Sequence, residues 1–335
     1  MPPVEAPVRE EEGLEERGCA ATNTGCEAEF GQDQEERMNP VLKRLGFDPR
    51  DRVVIIHADD IGMCQATLPA LADLLDASLV TSAATMVPCP WFPEVARFCR
   101  AKGDLDMGVH LTLTCEYQSY RWGPISTRDP ATGLLDRDGY FHFDPQGVQS
   151  GATPDAAAGE LAAQVRRAYD AGIDLTHVDS HQLSILHPKL LSSYVDLAAN
   201  NRLPLMLLRL DAAGWHALGQ SLGLAIDMEA SHRLAETVEE LEAQGTPLLD
   251  HAFMMPLDSP DDRVEVAKQM LGALPPGLTH FVLHPAGDTP ELRAITPDWP
   301  SRVADYRAFT DRGLRDYVRR SGLQVIGYRA LKALL

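Results

Sequence analysis

The stretch "RVVIIHADDIG", residues 52–62, decides how the rest of the chain is read. Val53–Ile56 is a short, uninterrupted apolar run, the pattern of a strand buried on both faces in a parallel sheet. Two adjacent carboxylates, Asp59 and Asp60, follow that run directly. Like charges at the end of a buried strand repel, and a bound cation would offset the repulsion.

Beyond this strand, apolar runs keep alternating with amphipathic stretches. The strand candidates are "RVVIIHA", "LVTSAATMV", "MGVHLTLT", "LTHVDSH", "LPLMLLRL", "PLLDHAFM", "THFVLHPA" and "LQVIGYRAL". Helical spacing marks residues 65–77, 91–102, 156–172 and 262–274. Such alternation predicts an α/β chain of parallel strands covered by helices. Seven or eight βα units favour a distorted (β/α) barrel over an open sheet. Residues 38–335 therefore read as a single (β/α)-barrel domain, with a loop insertion at about residues 115–155 that is rich in Gly, Pro, Asp and aromatics. A loop there follows a strand end and would lie over the barrel mouth. Its Tyr117, Tyr120, Trp122, Tyr140 and Phe141 could stack on sugar rings, with Tyr120 and Trp122 as the substrate-binding candidates. They could equally anchor the loop to the body.

Residues 1–37 hold 11 acidic and 3 basic residues and few large apolar ones, so they read as a disordered acidic tail. Met38, which opens "MNPVLKRLGFDP", is expected to be the natural start. The rest is ordinary globular material: 44% of the chain is apolar and no run approaches a membrane span, so no membrane partner is expected. A formal charge of −19 argues against nucleic acid as a partner, because phosphate binding needs basic surface. The six cysteines are scattered without a C-x-x-C pair, which argues against thiolate metal sites and disulfide frameworks. With no signal-peptide pattern at the start, a cytoplasmic location is expected.

The chemistry-bearing residues recur at one structural place, the C-terminal end of a predicted strand. They are Asp59 and Asp60, His110 in "GVHLTL", His177, Asp179 and His181 in "THVDSHQ", and His284 in "VLHPAG". In a parallel barrel those ends converge on one face. A carboxylate with two imidazoles suits a divalent ion that keeps open positions for water or substrate. One of the paired aspartates could then bind the ion while the other accepts a proton from water. His177 and Asp179 are expected just behind the ligands, and His57 in the core or beside them.

"HADDIG", "GVHLTLT", "THVDSHQ" and "LHPA" occur in the order and spacing of the YdjC-like carbohydrate (chitooligosaccharide) deacetylase family (ChbG), and the resemblance covers about residues 50–330. It implies a distorted barrel related to polysaccharide deacetylases, which removes acetyl groups from N-acetylated sugars with a divalent metal. By that match Asp60, His110 and His181 look like the metal ligands, Asp59 like the general base and His284 like the acid that protonates the leaving amine. It also implies an acetylated sugar as substrate partner and a homodimer. The metal would be Mg²⁺ or Zn²⁺, with Mn²⁺ and Co²⁺ also compatible with oxygen and nitrogen ligands. The chain departs from the family where Gln182, Leu183 and Ser184 follow "DSH" in place of further histidines, and in the stretch Gly133–Ala152.

Three rivals remain on the sequence alone. The same site could cleave a non-sugar acyl amide. A non-haem Fe(II) oxygenase is suggested by "HVD" with a distant histidine, although such enzymes commonly use all-β folds. A non-catalytic sugar-binding barrel would be marked by loss of the base or a ligand, and all are present.

Overall fold

Residues 38–224 and 226–335 are described by a computed structural model. The predicted tail, residues 1–37, lies outside the described residues. Seven parallel strands form the sheet: β1 (Arg52–Ile61), β2 (Ser82–Thr85), β3 (Met107–Leu111), β4 (Leu175–Ser180), β5 (His251–Met254), β6 (Gly277–Leu283) and β7 (Gln324–Ile326). β1 is the hub, and nine of its ten residues are buried. Its apolar residues Val53–Ile56 are fully buried, each contributing roughly 1.5–3 kcal/mol.

The order along the sheet is β4-β3-β2-β1-β6-β5. One edge of β1 pairs with β6 from Arg52 to Ala58. Its other edge is shared, with β7 on Val53–Ile55 and β2 taking over from His57. That wedge, together with a register break between Ala58 and Ile61, is the distortion of the barrel.

The eighth strand candidate, residues 203–210, forms no strand. Pro204 has no N–H to give a ladder, and the segment makes only two isolated bridges, Leu205 with Val178 of β4 and Leu208 with Leu249 just before β5. Those two bridges join the outer strands and close the ring.

The four predicted helices appear as Thr67–Ala77, Phe92–Lys102, Pro154–Asp170 and Arg263–Gly272. The long third one starts at a Thr153 side chain that accepts from Ala156 N. Helices Pro188–Asn201, Ala212–Leu222, Met228–Ala243, Trp299–Phe309 and Arg312–Arg320 are the other long ones. The insertion is irregular apart from a short turn at Pro130–Thr132 and a helix at Pro145–Gly151.

The barrel interior is partly polar. His57, His177 and His280 are buried inside it, with the Tyr328 ring stacked 3.9 Å from that of His177. Gly108 of β3 makes room for this layer, because a Cβ there would meet His177 Nε2 at 2.4 Å.

Candidate active site

All the sequence-selected residues but His177, which lies midway along β4, stand near or just past a strand's C-terminal end. Asp59 and Asp60 end β1, His110 lies in β3, His177 and Asp179 in β4, and His181 and His284 follow β4 and β6 directly. Asp60 takes a left-handed backbone, φ 62°, uncommon for a residue with a side chain and found at functional sites.

Asp60, His110 and His181 come together. Asp60 Oδ1 is 3.4 Å from His110 Nε2 and 3.3 Å from His181 Nδ1. The two nitrogens are 3.3 Å apart. All three residues are buried, and Asp60 Oδ1 has no hydrogen-bond partner. A buried acceptor without a donor is costly, so the triangle fits a cation.

The surroundings hold these ligands. Arg302 Nη1 donates to Asp60 Oδ2 at 2.7 Å and Nη2 to Tyr117 OH at 3.2 Å. Burial works against the Asp60 carboxylate, yet Arg302 and the two histidines leave its pKa well below the usual range. His110 Nδ1 lies 2.8 Å from Asp179 Oδ1, its register partner across β3 and β4. His181 Nε2 lies 3.0 Å from Glu116 Oε2. Burial disfavours charge on His181, but Glu116 and Asp60 outweigh it and push its pKa up to about 9.

Asp59 faces the same space from one side. Its Oδ1 is 3.0 Å from His57 Nε2 and 3.6 Å from His110 Nδ1, and its Oδ2 is 3.9 Å from His284 Nε2. His57 Nε2 is also 3.0 Å from Asp179 Oδ2, so this one nitrogen lies between two carboxylates. Burial would raise the Asp59 pKa, but His110 and His57 bring it below the ordinary value. His284 is lowered by burial, and its backbone N–H donates to Asp305.

His177 sits deeper than the site. Its ring stacks on Tyr328, and burial with neighbouring His57 holds its pKa well below the ordinary value. The "HVD" residues therefore do not form an open ligand set, since His177 lies in the core and Asp179 Oδ1 is taken by His110 Nδ1.

The loop aromatics serve mainly as anchors. Trp122 is 3% exposed, donates from Nε1 to Thr114 O, and lies edge-on to His181, so it offers no open face to a sugar ring. Tyr120 is partly buried and donates to Met63 O at 2.7 Å. Phe141 is buried, and Tyr140 remains 40% exposed.

Sequence reading missed Glu116, Arg302 and His280, and named Tyr117 only as a loop aromatic. Glu116 carried a signal, standing six residues after His110 just past the same strand. Arg302 carried little, being one arginine in a helix whose buried face unusually includes Ser301, Arg302 and Asp305.

Residues 53–320 match the family model described as YdjC-like protein. A carbohydrate deacetylase of Thermus thermophilus is 34% identical over 82% of this chain and 92% of its own length. A carbohydrate deacetylase of Thermoanaerobacter pseudethanolicus is 22% identical over 84% of this chain and 100% of its own. A crystal structure from Enterococcus faecalis V583, of a protein named for cellobiose-phosphate cleavage, superposes with a TM-score of 0.66. That likeness, at 22% identity over 84% of this chain and 99% of the other, concerns the fold. On its matched span and on the Thermus relative, the chain belongs to the YdjC-like protein family.

Proposed function

We propose that the protein is a metal-dependent deacetylase that hydrolyses the N-acetyl group of a mono- or oligosaccharide or related glycoconjugate. The observation that carries this reading is the Asp60–His110–His181 triangle with the ionised Asp59 beside it. The sugar is supported by the relatives, which are named carbohydrate deacetylases.

Asp60, His110 and His181 would hold the ion. When bound it supplies a Lewis acid that makes water more acidic and draws charge from an amide oxygen. The triangle's oxygen and nitrogen donors suit Zn²⁺, Mg²⁺, Mn²⁺ or Co²⁺. Asp59, with its pKa held low, is ionised at neutral pH and accepts the proton of the attacking water at a carboxylate oxygen. His284, whose Nε2 lies 3.9 Å from Asp59 Oδ2 on the same side of the triangle, would protonate the departing nitrogen. The C–N bond breaks, the acyl carbon keeps the water oxygen as acetate, and the sugar leaves as an amine.

Two histidines and one carboxylate also serve iron oxygenases. A base beside the triangle and an α/β barrel favour hydrolysis. The test is acetate release from N-acetylglucosamine and its short oligomers by metal-stripped protein resupplied with Zn²⁺, Mg²⁺, Mn²⁺ or Co²⁺. Metal-restored release that disappears in His181→Ala is expected. One bound ion without acetate release would redirect the search to other amides, and oxygen uptake with iron and a 2-oxoacid would overturn hydrolysis.

A further inference from the structure

Both imidazoles of the triangle have a carboxylate on their far nitrogen, but the two carboxylates come from different parts of the fold. Asp179, behind His110, belongs to the neighbouring barrel strand. Glu116, behind His181, belongs to the start of the inserted loop. Its Oε2 meets His181 Nε2 at 3.0 Å, while His181 Nδ1 is the atom that joins the triangle.

His181 needs such a partner more than His110 does. His110 is set within a paired strand, whereas His181 opens a turn in which Gln182 and Leu183 both take left-handed backbones, φ 52° and 51°. Regular pairing therefore does not aim the His181 ring. Its ring neighbours are His110 at 5.2 Å and Trp122 at 6.3 Å between centroids, both edge-on contacts that do not distinguish one ring nitrogen from the other. Glu116 does distinguish them, since a carboxylate accepts only from a nitrogen that carries a proton.

We propose that Glu116 is a positioning residue for the metal ion: it accepts the Nε2–H of His181, leaving the Nδ1 lone pair directed at Asp60 Oδ1 and His110 Nε2. This rests on the metal reading above. A carboxylate in this position also strengthens the imidazole as a donor. Because Glu116 sits in the loop, the loop's seating becomes part of the metal site. That seating includes Trp122 Nε1 on Thr114 O and the backbone N–H groups of Ile125 and Ser126 on the buried Glu160 carboxylate.

The test is calorimetric titration of the metal-stripped full chain with Zn²⁺, and separately with Mg²⁺, for the wild type, Glu116→Ala, Glu116→Gln and His181→Ala, with melting of each metal-free protein as the folding control. The wild type should take up one ion and His181→Ala none. Glu116→Ala should bind about 10- to 100-fold more weakly, the usual loss for such partners. Glu116→Gln should fall between, because its amide oxygen can still accept the Nε2–H without the charge. Binding by Glu116→Ala within twofold of wild type would overturn the proposal while leaving the metal reading intact. Loss as complete as in His181→Ala, with no rescue by glutamine, would make Glu116 a ligand and overturn it as well. A wild type that takes up no ion would bring down the metal reading and this inference together. Should Glu116→Ala fail to fold, Glu116→Gln decides: an affinity within twofold of wild type overturns the proposal.

Discussion

Replacing Asp59 with asparagine separates the two jobs assigned to the paired aspartates. Asparagine nearly matches the volume of this buried side chain but cannot take up a proton at neutral pH. None of the three triangle edges involves Asp59, whose contacts run to His57, to His284 and to the outer nitrogen of His110. Asp59→Asn should therefore still bind one ion at saturating concentration, with lower affinity because a nearby negative charge is gone. General-base catalysis contributes about 10²- to 10⁴-fold, or about 3–5 kcal/mol of transition-state stabilisation. The assay is kcat for acetate release at saturating metal, alongside metal content of the same sample. kcat should fall by that factor with KM changed little, because the lost interaction belongs to the transition state. Turnover within tenfold of wild type would show that Asp59 is not the base. Loss of the ion in Asp59→Asn, with retention in Asp60→Asn, would exchange the two roles.

Three further outcomes follow from the packing. Arg302→Met should destabilise the metal-free protein by about 3–5 kcal/mol in urea melts, because it leaves the buried Asp60 carboxylate without its cation; a loss below about 1 kcal/mol would contradict the pairing. Gly108→Ala should cost about 3 kcal/mol or more, since its Cβ would overlap a His177 ring held by Tyr328, and an unchanged melting temperature would show that the ring can shift. Stability should also vary with pH through the interior histidines. His280 is pushed down to about 3 by burial and by neighbouring His57, so the unfolded chain binds its proton first and stability falls as pH drops below about 6.5, by about 2 kcal/mol at pH 5. His57 has the opposite sign: burial opposes its charge, but Asp179 and Asp59 raise its pKa to about 9, so its contribution is lost as pH rises from about 6.5 to 9. Denaturant midpoints of wild type and His280→Gln across pH 5–9 check this; an acid limb equally steep in both would refute the His280 assignment.

Apolar periodicity carried much of the architecture. A run such as Val53–Ile56, set among alternating helical stretches, fits a strand of a covered parallel sheet, and strand polarity then places everything that follows such a run at one end of the barrel. For that reason Asp59, Asp60, His110, His181 and His284, separated by up to 225 residues, could be grouped before any coordinates. Local chemistry misled at residues 203–210, whose apolar pattern resembles a strand although Pro204 leaves it with two bridges. It was silent on the aromatics, because Trp122 looks the same in sequence whether its ring faces a sugar or, as here, the loop's own core.

The partners of the ligands required tertiary structure. Arg302 reaches Asp60 across 242 positions and Glu116 reaches His181 across 65, in pairings set by how a helix and a loop pack over the barrel mouth. The choice between the nitrogens of His181 was likewise beyond the sequence. A residue's identity states which atoms can donate or accept, but which atom faces the triangle depends on the backbone turn at Gln182 and on where the loop delivers a carboxylate.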